Sequence, residues 1–418
     1  MKTPRALNLL DLTCIGVNAI VGSSIFLFPG RLAAFMGPAS VLSFALTGLL
    51  LLAVGLCFAE ASTHYDRPGG PYLYATECFG STAGFAVGWM CWVTMIVSWA
   101  AVANAVAVYL GHFGPAFTTP SAVKATAAVV IVAMGAINYR GVKLGAWTSN
   151  FFTAAKLIPL AVFVLVGLPH VDPARFTPFA PHGWAPLGKA CFLAYFAFQG
   201  FETVPVPAGE VAQPQKNVPL AVFFALALSS ILYMLVQAVA VGVNPGLAGA
   251  ERPLAASAAL ILGPAGAAFI VVGAAVSMVG YNAGSALGGP RYLVALAQDR
   301  HFPTWLAALH PRYQTPFRCV ALTTGLTLAA ALAVDFDRLV DFSNVVICAQ
   351  FISTCIAVPL LRRRHPAVPG RFRLPGTWPL PLIGVAATLW LGLQGGTQQI
   401  WWSIGALVLG FLLRASLR

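Results

Sequence analysis

The sequence predicts an all-α polytopic membrane protein with twelve transmembrane helices, and three observations carry that prediction. Of 418 residues, 59% are hydrophobic and only 9% charged, where a soluble domain carries about 25% charged residues. Apolar runs recur along the whole chain at lengths near the roughly 20 residues that cross a hydrocarbon core. The basic residues collect in short gaps between those runs, as topology signals do.

The runs lie at 9–35, 38–62, 83–112, 121–138, 146–168, 186–211, 217–241, 265–298, 316–334, 338–361, 377–395 and 398–415. The first follows Lys2 and Arg5 without a small-residue cleavage site, so it reads as a retained span. The eighth continues beyond a bilayer's thickness as the amphipathic stretch "GGPRYLVALAQDRHFPTWL". With both termini in the cytoplasm, the inner gaps and ends hold Lys2, Arg5, Arg67, Arg140, Lys143, Lys216, Arg291, Arg300, Arg312, Arg318, Arg362 to Arg364, Arg371, Arg373, Arg414 and Arg418. The outer side holds only Arg31, Lys124, Arg175, Lys189, Arg252 and Arg338. The asymmetry predicts a multi-pass protein of the inner or plasma membrane with both ends inside.

Several function classes drop out. The net charge of +12 is dispersed between spans rather than gathered in a stripe, which argues against nucleic acid and for the lipid bilayer as the surrounding partner. The eight cysteines have no CxxC or zinc-ligand spacing and read as small membrane-core residues. No histidine pair stands at i, i+4, so no metal site and no bound cofactor is expected. HExxH, G-x-S-x-G and the P-loop are all missing, which argues against an enzyme.

Ionisable residues deep in a span are costly and mark function. Glu60 sits near the inner end of the second run, where a helix-end charge reaches headgroups or a neighbouring loop. Lys156, in "NFFTAAKLIPLAVF", lies well inside the fifth run; a lysine buried there can load and release a proton. Glu202, in "AYFAFQGFETVPVP", lies where the sixth run is interrupted by Gly200, Pro205 and Pro207. The first run carries its own interruption, Gly22-Ser23-Ser24 in "IVGSSIF". A broken backbone is tolerated in a membrane only where it lines protein or water. Two discontinuous helices five spans apart point to two inverted five-helix repeats with a midplane site between the breaks. The freed amides suit a carboxylate and the freed carbonyls an ammonium, so a zwitterionic amino acid fits.

At these residues the chain resembles the amino acid–polyamine–organocation (APC) superfamily of amino acid permeases, including bacterial proton-coupled transporters. "IVGSSIF" is similar to its first-span signature and "FAFQGFE" to its sixth-span motif. "FAEASTHYDRPGGPYLYATECFG", "GEVAQPQKNVP", "RYLVALAQDRHFPTWLAALHPRYQTP" and "LLRRRHPAVPGRFRLPG" follow in the family's order.

The resemblance implies a five-plus-five inverted repeat, 1–168 and 186–361, with two peripheral helices at 377–415. It implies that Gly22, Ser23 and Ser24 offer amides to the substrate carboxylate, with nearby carbonyls such as that of Ile20 for the amine. Phe198, Gly200 and Phe201 would line the side-chain pocket and gate. Lys156 would occupy the place of the sodium ion used by related symporters, with Ser277 as its partner on the eighth span and Glu202 as a second coupling group. Ser24 departs from the family's glycine. The expected function is therefore transport of neutral L-amino acids by alternating access with a proton as coupling ion. An exchanger of the same fold and a non-transporting sensor are the alternatives.

Overall fold

A chain this apolar has to close its backbone hydrogen bonds within itself, and the computed structural model does so with helices. It describes residues 7–65, 70–141, 146–206, 211–364 and 372–417. Pro207 and the basic residues Lys2, Arg5, Arg67, Lys143, Arg371 and Arg418 lie outside them. Among the described residues there is no strand, only an isolated bridge between Leu7 and Val211.

The helices are α1 (Leu9–Ile20), α2 (Ser24–Met36), α3 (Ser40–Thr63), α4 (Gly70–Phe79), α5 (Ser81–Leu110), α6 (Pro120–Tyr139) and α7 (Ala146–Gly167). There follow α8 (Leu187–Phe198), α9 (Pro214–Val243), α10 (Pro253–Gln298), α11 (Phe317–Ala333), α12 (Phe336–Val346), α13 (Cys348–Arg364), α14 (Pro379–Leu393) and α15 (Thr397–Ser416). Among the described residues, eight helical segments are long and apolar enough to cross a bilayer; α1, α11 and α14 are shorter apolar helices. The difference from twelve equal spans has a physical cause. The first run is cut at Val21–Ser23, which leaves α1 only 12 residues. The sixth run ends its α-helix at Phe198, again after 12 residues. Conversely, α10 is 46 residues long and bends at Gly263, whose φ is +66°, so the eighth run is longer at its start than the sequence predicts.

α5 forms the centre. Most of it is buried, and it packs against α4, α6, α10, α11 and α12. α1 lies between α7 and α9, and α8 between α2 and α3. At the periphery α14 packs on α3 and α13, and α15 on α5 and α12. The outer faces of the last two helices stay apolar and exposed, as at Leu393, Trp401 and Leu412, which suits contact with lipid tails.

Side chains tie the helix ends together. Arg31 on α2 pairs with Asp337 on α12 and lies over the Phe336 ring. Glu60 is buried, and its carboxylate takes a two-pronged contact from Arg362 at 2.5 and 2.7 Å. The Leu374 amide also donates to Glu60, at 2.7 Å. Arg362 in turn donates to the Leu374 carbonyl at 2.8 Å and to that of Gly376. The helix-end charge thus does reach a neighbouring segment, the one leading into α14.

Removing one partner of a buried pair strands the other charge, at a cost of about 3–5 kcal/mol. Arg362→Ala is therefore expected to lower the thermal unfolding midpoint of detergent-purified protein strongly. Glu60→Gln, which keeps an acceptor for the Leu374 amide, is expected to lower it less. An unchanged midpoint in Arg362→Ala refutes the clamp.

Candidate functional site between two broken helices

Glycine and serine in the middle of an apolar helix give the backbone little reason to stay helical, and the first run opens there. α1 closes with the Val21 amide donating to the Val17 carbonyl at 2.8 Å, and Val21 itself is extended. α2 starts at Ser24; the Ser23 carbonyl takes the amides of Phe26 and Leu27 at 3.1 and 3.2 Å. The amides of Gly22, Ser23, Ser24 and Ile25 have no acceptor among the described residues. They form a patch of partial positive charge at the start of α2.

The carbonyl side of the same break is filled by side chains from three helices. Lys156 on α7 is fully buried, and its Nζ donates to the carbonyls of Asn18 at 2.9 Å and Val21 at 2.7 Å. Ser277 on α10 donates to Val21 and Gly22 at 3.1 and 3.0 Å. Tyr233 on α9 reaches the Ile20 carbonyl at 3.2 Å. Lys156 is also the last rung of a polar ladder along α1. Below it, Thr153 donates to the Cys14 carbonyl and Asn150 to the Asp11 carboxylate, both at 2.9 Å.

The second break begins at Gln199 and Gly200, before either proline. Gly200 has φ +126°, a region that L side chains avoid. One 3-10 turn, Phe201–Thr203, follows it. The Gly200 amide donates to the Glu202 carboxylate at 2.8 Å, so that buried acid caps its own turn. Tyr233 also reaches the Ala197 carbonyl, at 3.1 Å, so one phenol ties the ends of α1 and α8.

The two breaks touch. A Cβ on Gly200 would stand 2.4 Å from the Ala19 carbonyl group and 2.8 Å from the Ile20 nitrogen. On the other side of the first break, a Cβ on Gly22 would lie 3.4 Å from the Tyr281 ring. The Tyr281 hydroxyl lies against Ser98 and Ser285. Ser98 bonds Ser343 at 2.7 Å, Ser343 donates to Gln199 at 2.9 Å, and Gln199 donates to Asn344 at 2.6 Å. Asn344 ends the relay on the Phe192 carbonyl at 2.7 Å.

The structure thus brings Ile20, Gly22, Ser23, Lys156, Gly200, Glu202 and Ser277 into one region. Ser24 is the buried first residue of α2. Phe198 packs on Phe44 and Tyr233, and Phe201 on Phe58 and Phe351. Both rings are therefore held in the packing against α3. Sequence reasoning did not single out Tyr233, Gln199, Ser98, Ser343 or Asn344. A tyrosine or serine in an apolar helix is common, and only their partners mark these.

The chain is similar to known proteins over nearly its whole length. A family model described as amino acid permease matches residues 7–412. Three relatives from Bacillus subtilis (strain 168) span nearly the whole chain. A methylthioribose transporter is 30% identical over 97% of this chain and 92% of its own length. The branched-chain amino acid permease BcaP is 30% identical over 98% and 92%. The serine/threonine exchanger SteT is 27% identical over 93% and 90%.

Gly200→Ala adds a left-handed backbone penalty of about 1–2 kcal/mol to a direct overlap with α1, and is expected to lower the unfolding midpoint sharply. Tyr233→Phe removes the one buried O–H shared by the Ile20 and Ala197 carbonyls and is expected to cost about 1–3 kcal/mol. Gly284→Ala, with open space at its Cβ position, is expected to leave the midpoint unchanged. Equal midpoints for Gly200→Ala and Gly284→Ala contradict the contact between the breaks.

Proposed function

The chain belongs to the amino acid permease family, and on that premise we propose that it carries neutral L-amino acids across the membrane by alternating access, with a proton as coupling ion. The observation that supports this reading most is the meeting of the two breaks. Four free amides stand at the start of α2, and the second break lies against the end of α1. The amides of Gly22, Ser23 and Ser24 take the substrate carboxylate, while carbonyls of the broken ends, starting with Ile20, face the amine. Around them we read two inverted five-helix repeats, 1–168 and 186–361, with α14 and α15 outside both. The asymmetry of basic residues between the helices supports a topology with both termini in the cytoplasm.

Lys156 is the proposed coupling group. As an ammonium it holds the last carbonyls of α1 with charge-assisted bonds, which are about twice as strong as neutral ones. Loss of the proton weakens that top rung of the α1–α7 ladder and lets α1 move. Glu202 is the second buried ionisable group at the site, and Ser277 shares the Val21 carbonyl with Lys156. The positive charge of Lys156 disfavours substrates with a cationic side chain.

An exchanger is the second reading, and one observation favours it. Lys124 on α6 makes the same kind of cap elsewhere, donating to the carbonyls of Ala331 and Val334 at 2.8 and 2.9 Å. A lysine can therefore close a helix end in this fold as a structural part alone.

Uptake of labelled neutral amino acids into empty proteoliposomes separates the two. An inward proton gradient is expected to stimulate uptake several-fold, and Lys156→Ala to abolish the stimulation. Uptake indifferent to the gradient overturns proton coupling. Uptake that requires amino acid inside the vesicle establishes exchange, and binding without flux establishes a sensor.

A further inference from the structure

A closed circuit of contacts joins the two breaks. It runs from Gly22 to the Tyr281 ring, from the Tyr281 hydroxyl to Ser98, then through Ser343 to Gln199. Gly200, next in the chain, returns it to Ala19 and Ile20. One side of this circuit is thus a wall of three side chains that hydrogen-bond, Ser98, Ser343 and Gln199, drawn from α5, α12 and the second break. Beside the amides, the Ser23 hydroxyl is fully buried and has no partner among the described residues.

On the reading that the amides hold an amino acid carboxylate, we propose that this wall makes the protein selective for a short, uncharged side chain that itself hydrogen-bonds, a hydroxyl or a small carboxamide. Each member of the relay has a partner on either side, yet each of these oxygens accepts only one of those bonds and has two lone pairs. An aliphatic side chain set against Ser98, Ser343 and Gln199 strips water from the spare lone pairs and returns nothing. A substrate hydroxyl donates to one of them. In a low-dielectric site that difference is large, because a buried polar group left without a partner is what costs free energy. Length is limited by the same circuit. The Tyr281 ring lies directly over Gly22 and the two breaks touch at Gly200, so a long side chain meets backbone on one side and an aromatic ring on the other.

A wall of serines and an amide can also be plain inter-helical glue. The two roles part on one comparison, threonine against valine, which have the same shape and differ by a hydroxyl in place of a methyl. Glue alters how much of every substrate is moved; a selective wall alters the ratio. The proposal concerns Ser98, Ser343 and Gln199 as specificity-determining residues, with Tyr281 positioning Ser98.

The test is uptake of labelled L-threonine and L-valine by the purified full-length protein in liposomes preloaded with unlabelled L-alanine, a condition that supports either symport or exchange. Wild-type protein is expected to move threonine at least about tenfold faster than valine. Ser343→Ala is expected to lower the threonine-to-valine ratio about tenfold, and Ser343→Thr, which keeps the hydroxyl, to preserve it. Ser98→Ala serves as the second variant should Ser343→Ala fold poorly, and the wild-type ratio stands independently of both. Equal wild-type rates for the two substrates overturn this proposal and leave the amino acid transport reading intact. So does a ratio that Ser343→Ala or Ser98→Ala leaves unchanged. Absence of flux and binding for every amino acid overturns the parent reading and this one with it.

Discussion

Backbone groups in hydrocarbon have no water to bond, and the rest of this molecule is arranged around that constraint. A helix that stops in the middle of the membrane exposes up to four amides and four carbonyls, each costly if left alone. α1 stops there, and its exposed carbonyls are met by Lys156, Ser277 and Tyr233, one from each of three surrounding helices. The amides at the start of α2 have no acceptor among the described residues. The asymmetry is informative. The carbonyl end of the break is met by side-chain donors and the amide end is left open, which is why the proposed carboxylate site falls on the amides.

The second break follows the same logic with different parts. Glu202 turns back to take the amide of Gly200, two residues before it, so a carboxylate that would otherwise be a stranded charge becomes a local cap. Gln199 is held by Ser343 and Asn344. The segment is therefore irregular but not loose. Its irregularity is fixed from α5, α9 and α12, which lets it present a defined surface without helical hydrogen bonds.

Much of this was legible in the residue order, and the parts that were not share a cause. Small residues in an apolar run announced the first break, Gly200 the second, and a lone Lys156 in oil needed a partner. The location of each break was readable to within a residue or two because glycine and serine act locally. The prolines misled by a few positions: Pro205 follows a helix that has already ended at Phe198. The span count was less direct, because a run of apolar residues does not say whether it is one helix or two short ones. Ser98 and Ser343 stand 245 positions apart, and Ser343 and Gln199 a further 144. Nothing local in a serine reports such a partner; only the packing of α5 and α12 brings them together. Ser277 became visible through family resemblance, which carries spatial information that spacing alone lacks.

The contact at Gly200 has a mechanical consequence. Two rods that cross with a gap can tilt independently, but α1 and the second break have their backbones in contact, and the phenol of Tyr233 is fastened to both. That junction behaves as a fulcrum. On the proposed alternating-access reading, a displacement of either broken end is passed to the other through this point, as in one lever rather than a pair of separate doors. It is the absence of a side chain at Gly200 that lets the two backbones meet there.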